Sequence, residues 1–427
     1  MKARRNVREA PVTAARGPPA RGGPPLPPAA ASRALPDNGP VDLEDLSALR
    51  TPEGSALLAA LRGLRPADEL AELTRLRRAH PPALVTAALA QARLRDRAVA
   101  KFGAEDAARM WFTPGGVEQA TRAPVAAYRA RRMKDLGARR VADLCCGIGG
   151  DALALARAGI AVRAVDRDPL TAAVARANAE ALGLTELIDV ECADVTEVDA
   201  SDCDTVFADP ARRGGRGRIF DPESYAPPLS WAIGAARSGR LGALKVAPGV
   251  PHEAIPADAA GEWVSDGGEL KEAVLWFGTG TGTTATLLPG PHRLRGAGLP
   301  NPPAAPVARY LYEPDAAVIR AHLVAEAARA LGASLIDDTL AYLTADTLTP
   351  TPYARAYEIT DVLPFGVKRL KSLLRAREVG SLTVKKRGSA MEPEELRRQV
   401  KPKGPHAATV FLTRALGAPV MLVGRGV

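Results

Sequence analysis

Cysteine is scarce in this sequence: four in 427 residues, Cys145, Cys146, Cys192 and Cys203. None makes a C-x-x-C pair, and the adjacent pair falls in an apolar run read as a strand. That argues against a zinc site and against a disulfide framework. The expectation is reduced thiols used as small hydrophobes, and no metal. Nowhere do 18 apolar residues run together, so no membrane span is expected. The N-terminus is rich in Arg and Pro and lacks the apolar stretch of a secretory signal. A cytoplasmic protein is the simplest reading.

Charge of one sign is abundant. The formal net charge is +9, on a chain whose hydrophobic fraction of 46% is that of a globular protein. A basic excess suits a polyanionic partner, but alone it supports only solubility and non-specific attraction. The length allows two or three domains. Residues 1–40, with "ARGPPARGGPPLPPAAASR", cannot bury a core and are expected to be disordered. Residues 41–114 place apolar residues at three- and four-residue steps, as in "DELAELTRLRRA", which predicts a helical domain. Pro81 and Pro82 fit the first turn of its third helix.

Residues 115–290 alternate strands and helices. "RRVADLCC", "AVRAVD", "IDVECAD", "DTVFADP" and "GALKVAPG" read as strands, and "GGDALALARAG" and "DPLTAAVARANAEALG" as crossover helices. This predicts an α/β fold with a parallel, Rossmann-like sheet. "EAVLWFG" and "TTATLLP", separated by a Gly/Thr turn, are expected to close it as an antiparallel hairpin. A parallel sheet ending antiparallel suits class I methyltransferases better than nicotinamide-binding folds. Residues 291–308 read as a Pro/Gly linker, and 309–427 as a second, basic α/β domain.

"DLCCGIGGD" closes the first strand and opens the first helix, where glycines let backbone N–H groups approach a ligand. Gly147, Gly149 and Ala152 also satisfy a dinucleotide fingerprint, with Asp166 near the place of its ribose carboxylate. Two residues favour S-adenosylmethionine over NAD. Asp143, inside the strand, suits a cationic amino group and gains nothing from a pyrophosphate. Asp194, ending the third strand, suits an adenine amino group. Candidate cofactor contacts are therefore Asp143, Cys145, Gly147, Gly149, Asp151, Asp166 and Asp194. Asp168 is the better helix cap before "PLT".

"FADPARR" ends the fourth strand, and ligands of open α/β sheets sit beyond such carboxyl ends. Asp209 and Pro210 are thus candidate catalytic residues, with Arg212. Ala211 and Arg212 replace the second proline and aromatic that clamp a flipped base in exocyclic-amine methylation. No cysteine lies in this loop or at the end of the fifth strand, which disfavours covalent pyrimidine chemistry. What remains is direct transfer to a nucleophile with its own lone pair, such as a base ring nitrogen, with Asp209 as proton acceptor or orienting group. Arg212, Arg213, Arg216 and Arg218 either meet phosphates or form a solvated basic loop. Lys245 is either a site residue or a sheet lysine.

Between Gly366 and Gly404 twelve Lys and Arg face four Glu. Lys368, Arg369, Lys385, Lys386, Arg387, Arg397 and Arg398 are candidate RNA contacts, since clustered charge of one sign is the footprint of backbone binding. A solvated helix face is the alternative. With few aromatics nearby, recognition by backbone and shape is favoured over base stacking.

The run "MWFTPGGVEQATRAPVAAYRARRM", then "DLCCGIGGD", "VDRDP", "DPARR" and "LKVAPG", resembles a bacterial group of class I S-adenosylmethionine-dependent methyltransferases. In that group a THUMP-like domain follows the catalytic domain. The resemblance covers roughly residues 50–427. It implies a segment over the methionine end of the cofactor carrying Thr113, Gln119 and Thr121, and RNA (tRNA or rRNA) as substrate. The alternatives are a methyltransferase of a protein or small molecule, and a non-catalytic RNA-binding module with a vestigial cofactor pocket.

Overall fold

The computed structural model describes residues 42–427 apart from 66, 212, 215, 216 and 219–221. The expected disordered segment, 1–40, and the candidates Arg212 and Arg216 lie outside the described residues.

Four helices come first: α1 (Leu43–Leu49), α2 (Pro52–Ala60), α3 (Glu69–Ala79) and α4 (Pro82–Arg109). Pro82 sits in the first turn of α4, where its missing N–H costs nothing. Two short helices follow, α5 (Pro114–Gln119) and α6 (Ala123–Asp135). The alternating region is β1 (Arg140–Leu144), α7 (Gly150–Arg157), β2 (Ala161–Asp166), α8 (Pro169–Leu182), β3 (Ile188–Cys192) and β4 (Thr205–Ala208). A small ribbon, β5 (Arg213–Gly214) and β6 (Gly217–Arg218), precedes α9 (Leu229–Ser238). Then come β7 (Leu241–Val246), β8 (Ala259–Asp266), β9 (Glu269–Phe277), β10 (Gly282–Leu288) and β11 (His292–Arg295).

These strands form one nine-stranded sheet in the order β11-β10-β8-β9-β7-β4-β1-β2-β3. From β7 to β3 all neighbours are parallel, so the carboxyl ends of β1, β2, β4 and β7 share one edge. The far end differs from the sequence expectation. β9 and β10 are not a hairpin, because β8 lies between them, antiparallel to β9 and parallel to β10. The hairpin is β8–β9, turning on Gly267 and Gly268, both at positive φ, which a two-residue hairpin turn favours. β8 escapes pattern reading because it buries Glu262 and Ser265. The expected linker also begins with a strand, β11, which pairs with β10.

The second sheet has the order β13-β14-β12-β15-β18-β17-β16. Its strands are β12 (Tyr310–Pro314), β13 (Ser334–Leu335), β14 (Leu343–Ala345), β15 (Ala354–Pro364), β16 (Val379–Lys386), β17 (His406–Ala415) and β18 (Ala418–Gly426). Helices α10 (Ala316–Arg320) and α11 (Val324–Leu331) precede β13, and α12 (Val367–Ala376) and α13 (Pro393–Val400) flank β16. Leu370 and Leu374 bury the apolar side of α12, as its spacing predicts.

Both flanking regions share core with the large sheet, although the C-terminal region also has a cluster of its own, with Leu370, Leu396, Val410 and Met421. Leu46, Leu57, Val85 and Phe112 belong to one buried cluster with Leu153, Val174 and Phe207 of the large sheet and its helices. On the opposite face, Val318, Leu323 and Ala327 share a cluster with Leu244, Trp263 and Leu275. At that junction Trp263, His252 and His322 stack in sequence, ring centroids 4.7 and 3.7 Å apart.

Candidate functional site

The sheet's carboxyl edge is where chain direction delivers chemistry. β1 stops at Leu144, and Cys145 takes a positive φ of 67°, a strained conformation for a side chain other than glycine. The adjacent cysteines thus lie past the strand, not inside it as expected. Gly147 and Gly149 continue the turn at φ 58° and 86°, which glycine accepts without strain. Gly149 caps α7, whose first-turn N–H groups open toward the turn. Asp166 fastens the turn from β2: Oδ2 accepts from the Gly147 N–H (2.9 Å) and Oδ1 from the Asp168 N–H (3.0 Å). Asp168 caps α8 through the Thr171 N–H (2.8 Å), as expected.

A cleft of about 360 Å³ lies over this turn. Thr113, Gln119, Thr121, Asp143, Cys145, Gly147, Asp151, Asp166, Asp209 and Pro210 all line it, so the expected cofactor and loop residues converge. Helix α5 forms its outer wall. Thr113 caps that helix by accepting from the Gly116 N–H (3.0 Å). Gly116 is needed there, since a Cβ would lie 2.4 Å from Ile148 Cγ2. Asp194 lines an adjoining cavity of about 320 Å³ that shares Cys145, Asp166 and Ala211 with the first. Its Oδ1 accepts from the Thr196 N–H (2.9 Å) and hydroxyl (2.7 Å).

Beneath the cleft runs a buried chain of charges that the sequence reading did not assemble. Asp209 Oδ2 accepts from Lys245 Nζ at 2.5 Å. Lys245 also reaches Thr121 Oγ1 (3.0 Å), which donates to Asp151 Oδ2 (2.7 Å). Asp151 pairs with Arg129, and Arg129 with Glu272. Burial disfavours the Lys245 ammonium, but Asp209, Glu272 and Asp151 override it and raise its pKa, so it stays charged. The sequence signal was present in Lys245, a lysine inside an otherwise apolar strand, and its partner was undetermined.

Asp143 stands outside this chain. It is 1% exposed, and neither carboxylate oxygen meets a protein donor. Burial, with Asp151 and Asp209 nearby, pushes its carboxyl well above the usual range. An orphaned buried acid facing a cleft fits a ligand that brings a cation. Burial also raises the Cys145 thiol, reinforced by Asp166, Asp209 and Asp143. That is the reverse of what a nucleophilic thiolate requires.

The C-terminal candidates divide. Lys385 pairs with Glu313, Lys386 with Glu392, and Arg397 with Glu394. Arg387 donates to the Ala341 carbonyl (2.9 Å) and lies over the Tyr342 ring. These four make contacts within the fold. Lys368, Arg369 and Arg398 are exposed. Arg213 is described through its backbone, in the ribbon beyond Asp209. Among the described residues no group of three or more His, Cys, Asp or Glu could hold a metal. No described helix is long and apolar enough to cross a membrane.

Comparison with known proteins agrees with this geometry. Residues 354–426 match the THUMP domain-like family, 138–218 the RNA cap guanine-N2 methyltransferase family, and 42–98 a domain of unknown function. Two relatives from Mycobacterium tuberculosis, strains CDC 1551 / Oshkosh and H37Rv, are uncharacterized S-adenosylmethionine-dependent methyltransferases. Each is 35% identical over 334 residues, 75% of this chain and 90% of theirs. A chain from Porphyromonas gingivalis W83 assigned as a methyltransferase shares the fold, with a TM-score of 0.69 at 21% identity over 81% of this chain and 92% of that one. An acid-lined cleft at the carboxyl edge of a Rossmann-like sheet and 35% identity across most of the chain lead to one assignment: the chain belongs to the S-adenosylmethionine-dependent methyltransferases.

Proposed function

We propose that this methyltransferase acts on structured RNA, tRNA or rRNA, by non-covalent transfer to a base nitrogen beside Asp209. The observation that carries the reading is the Lys245–Asp209 pair at the floor of the cleft. Bound S-adenosylmethionine supplies a methyl group on a sulfonium, which is electrophilic without further activation. Asp143 meets the cofactor's amino group, and Asp166 its ribose hydroxyls with lone pairs left by its two backbone bonds. Asp194 turns its second oxygen to the adenine side. Gln119 and Thr121 border the methionine end.

Lys245 holds the Asp209 carboxylate in place. Paired in this way, Asp209 acts first as an acceptor that orients an N–H or lone-pair nucleophile, and takes a proton only as charge develops on that nucleophile. The high thiol pKa of Cys145 supports the absence of a covalent intermediate. Exposed Lys368, Arg369 and Arg398, with the THUMP-like match, support RNA capture by the C-terminal domain. The match to the guanine-N2 family favours a second reading in which the nitrogen is an exocyclic amine.

The test compares methylated nucleosides, by RNA class, in cells with and without the gene, and after complementation with Asp209→Ala. One methylated base should vanish and return only with the wild type. If no nucleoside changes, RNA is not the substrate.

A further inference from the structure

A second cleft, of about 430 Å³, lies between the carboxyl-terminal half of α6, the turn between β9 and β10, and the edge strand β11. β9 pairs antiparallel with β7, setting Phe277 against Gly242, so the turn leaves the sheet at the amino end of β7. The cofactor cleft is at the opposite end. Four arginines line the second cleft, Arg131, Arg132, Arg293 and Arg295, against one acid, Asp135.

The buried carboxylate behind them is already committed. Glu262 accepts from the Tyr128 hydroxyl (2.6 Å), the Thr286 hydroxyl (2.6 Å) and Trp276 Nε1 (2.8 Å), and pairs with Arg132. Arg293 Nε approaches it only to 3.9 Å and is buried without a hydrogen bond. Thr279 Oγ1, on the turn, is likewise buried and without a partner. Two orphaned polar atoms and four cations therefore border one cavity. Cations outnumber acids here: burial lowers the Arg132 pKa to about 10, and although Tyr128 opposes this, Arg293 and Arg295 add to the fall.

The exposed guanidinium groups of Arg131 and Arg295, with the unbonded Arg293 Nε and the Thr279 hydroxyl, match the oxygens of a tetrahedral dianion, which offers several acceptors at once. A carboxylate would satisfy fewer of these donors. We propose that this cleft is an anion site that binds a phosphate group, separate from the methyl-transfer site. The phosphate belongs either to an RNA backbone or to a free phosphorylated ligand. The RNA source rests on the substrate reading above; the site itself does not.

Titration calorimetry of the full chain with inorganic pyrophosphate tests it. The exposed pair Arg131→Gln/Arg295→Gln should weaken pyrophosphate binding about tenfold or more, with S-adenosylmethionine binding unchanged. Thr279→Val, which keeps shape and removes the orphaned hydroxyl, should weaken it severalfold. Lys368→Gln/Arg369→Gln, on the other domain, should leave it intact. No pyrophosphate binding by the wild type, or equal binding by the Arg131/Arg295 variant, overturns the site. A parallel titration with a tRNA fraction identifies the source. If the arginine variant loses tRNA affinity as well, the phosphate is RNA's. If it loses pyrophosphate alone, the ligand is a free phosphorylated molecule. A wild type that binds pyrophosphate and no RNA retains this site and removes the RNA reading.

Discussion

At the scale of single residues, Asp143 is the most exposed to test because its protein partners are missing. A carboxyl whose folded pKa is raised binds its proton more tightly in the folded chain than in the unfolded one. Stability therefore falls as pH rises above the usual carboxylate value, because the unfolded chain gives up this proton first, and the loss levels off once the buried group ionises. Removing the charge should help the empty protein and harm the loaded one. We expect Asp143→Asn to raise the melting temperature of the cofactor-free chain at pH 7.5, by an amount equivalent to about 1 kcal/mol. It should also weaken S-adenosylmethionine about tenfold. Binding to the wild type should release a proton and tighten as pH rises. Calorimetry in two buffers of different ionisation enthalpy reads that proton, and equal heats would remove the role given to Asp143. Lys245 differs in kind, since its charge is matched by three acids, and its loss would leave Asp209 half-buried and unpaired.

At the scale of elements, the cofactor cleft depends on a helix of one and a half turns. α5 is too short to persist without tertiary support, and Thr113 fastens its start. Thr113→Ala should cost about 1 kcal/mol of stability, and S-adenosylmethionine affinity should fall with it because α5 is a wall of the cleft. An unchanged dissociation constant would show that α5 needs no cap. Elements were legible in the sequence where one force dominated. Apolar runs ending in Gly or Asp marked β1, β2, β4 and β7, and three- and four-residue spacing marked α4, α8 and α12. Legibility failed where buried polar groups interrupt the pattern. β8 carries Glu262 and Ser265 inside the core, so it lacks the alternation of a strand, and its omission misjoined β9 to β10. The acids Asp143, Asp166, Asp194 and Asp209 could be read because each lies in a strand or just past its end, and Asp151 because it opens α7. The Lys245–Asp209 pair could not, since its members are 36 residues apart and only strand order brings them together.

At the scale of the whole molecule, the basic excess is less free than its count suggests. Lys385, Lys386 and Arg397 are spent on Glu313, Glu392 and Glu394, while Lys368, Arg369 and Arg398 remain exposed. A polyanion exchanges counterions only with cations that are available. Replacing Lys368, Arg369 and Arg398 by Gln should therefore lower the salt dependence of RNA binding by about 2–3 in log–log slope. Lys385→Gln should leave the slope unchanged. Equal slopes for both variants would place RNA elsewhere on the surface.

The stacked histidines at the junction of the two sheets carry a consequence for how the molecule comes apart. His252 lies in the loop between β7 and β8 of the catalytic sheet, and His322 in the segment between α10 and α11. Burial lowers the His322 pKa, and His252 and Arg320 lower it further against the pull of Glu253. A histidine depressed in this way contributes stability above its ordinary value of 6.5, and the contribution is lost as pH falls through its folded value. A protonated His322 ring, stacked 3.7 Å from His252, would act as a wedge driven between the halves. Mild acid should then split a single melting transition into two, and His322→Phe, which keeps the stack and cannot charge, should hold it as one.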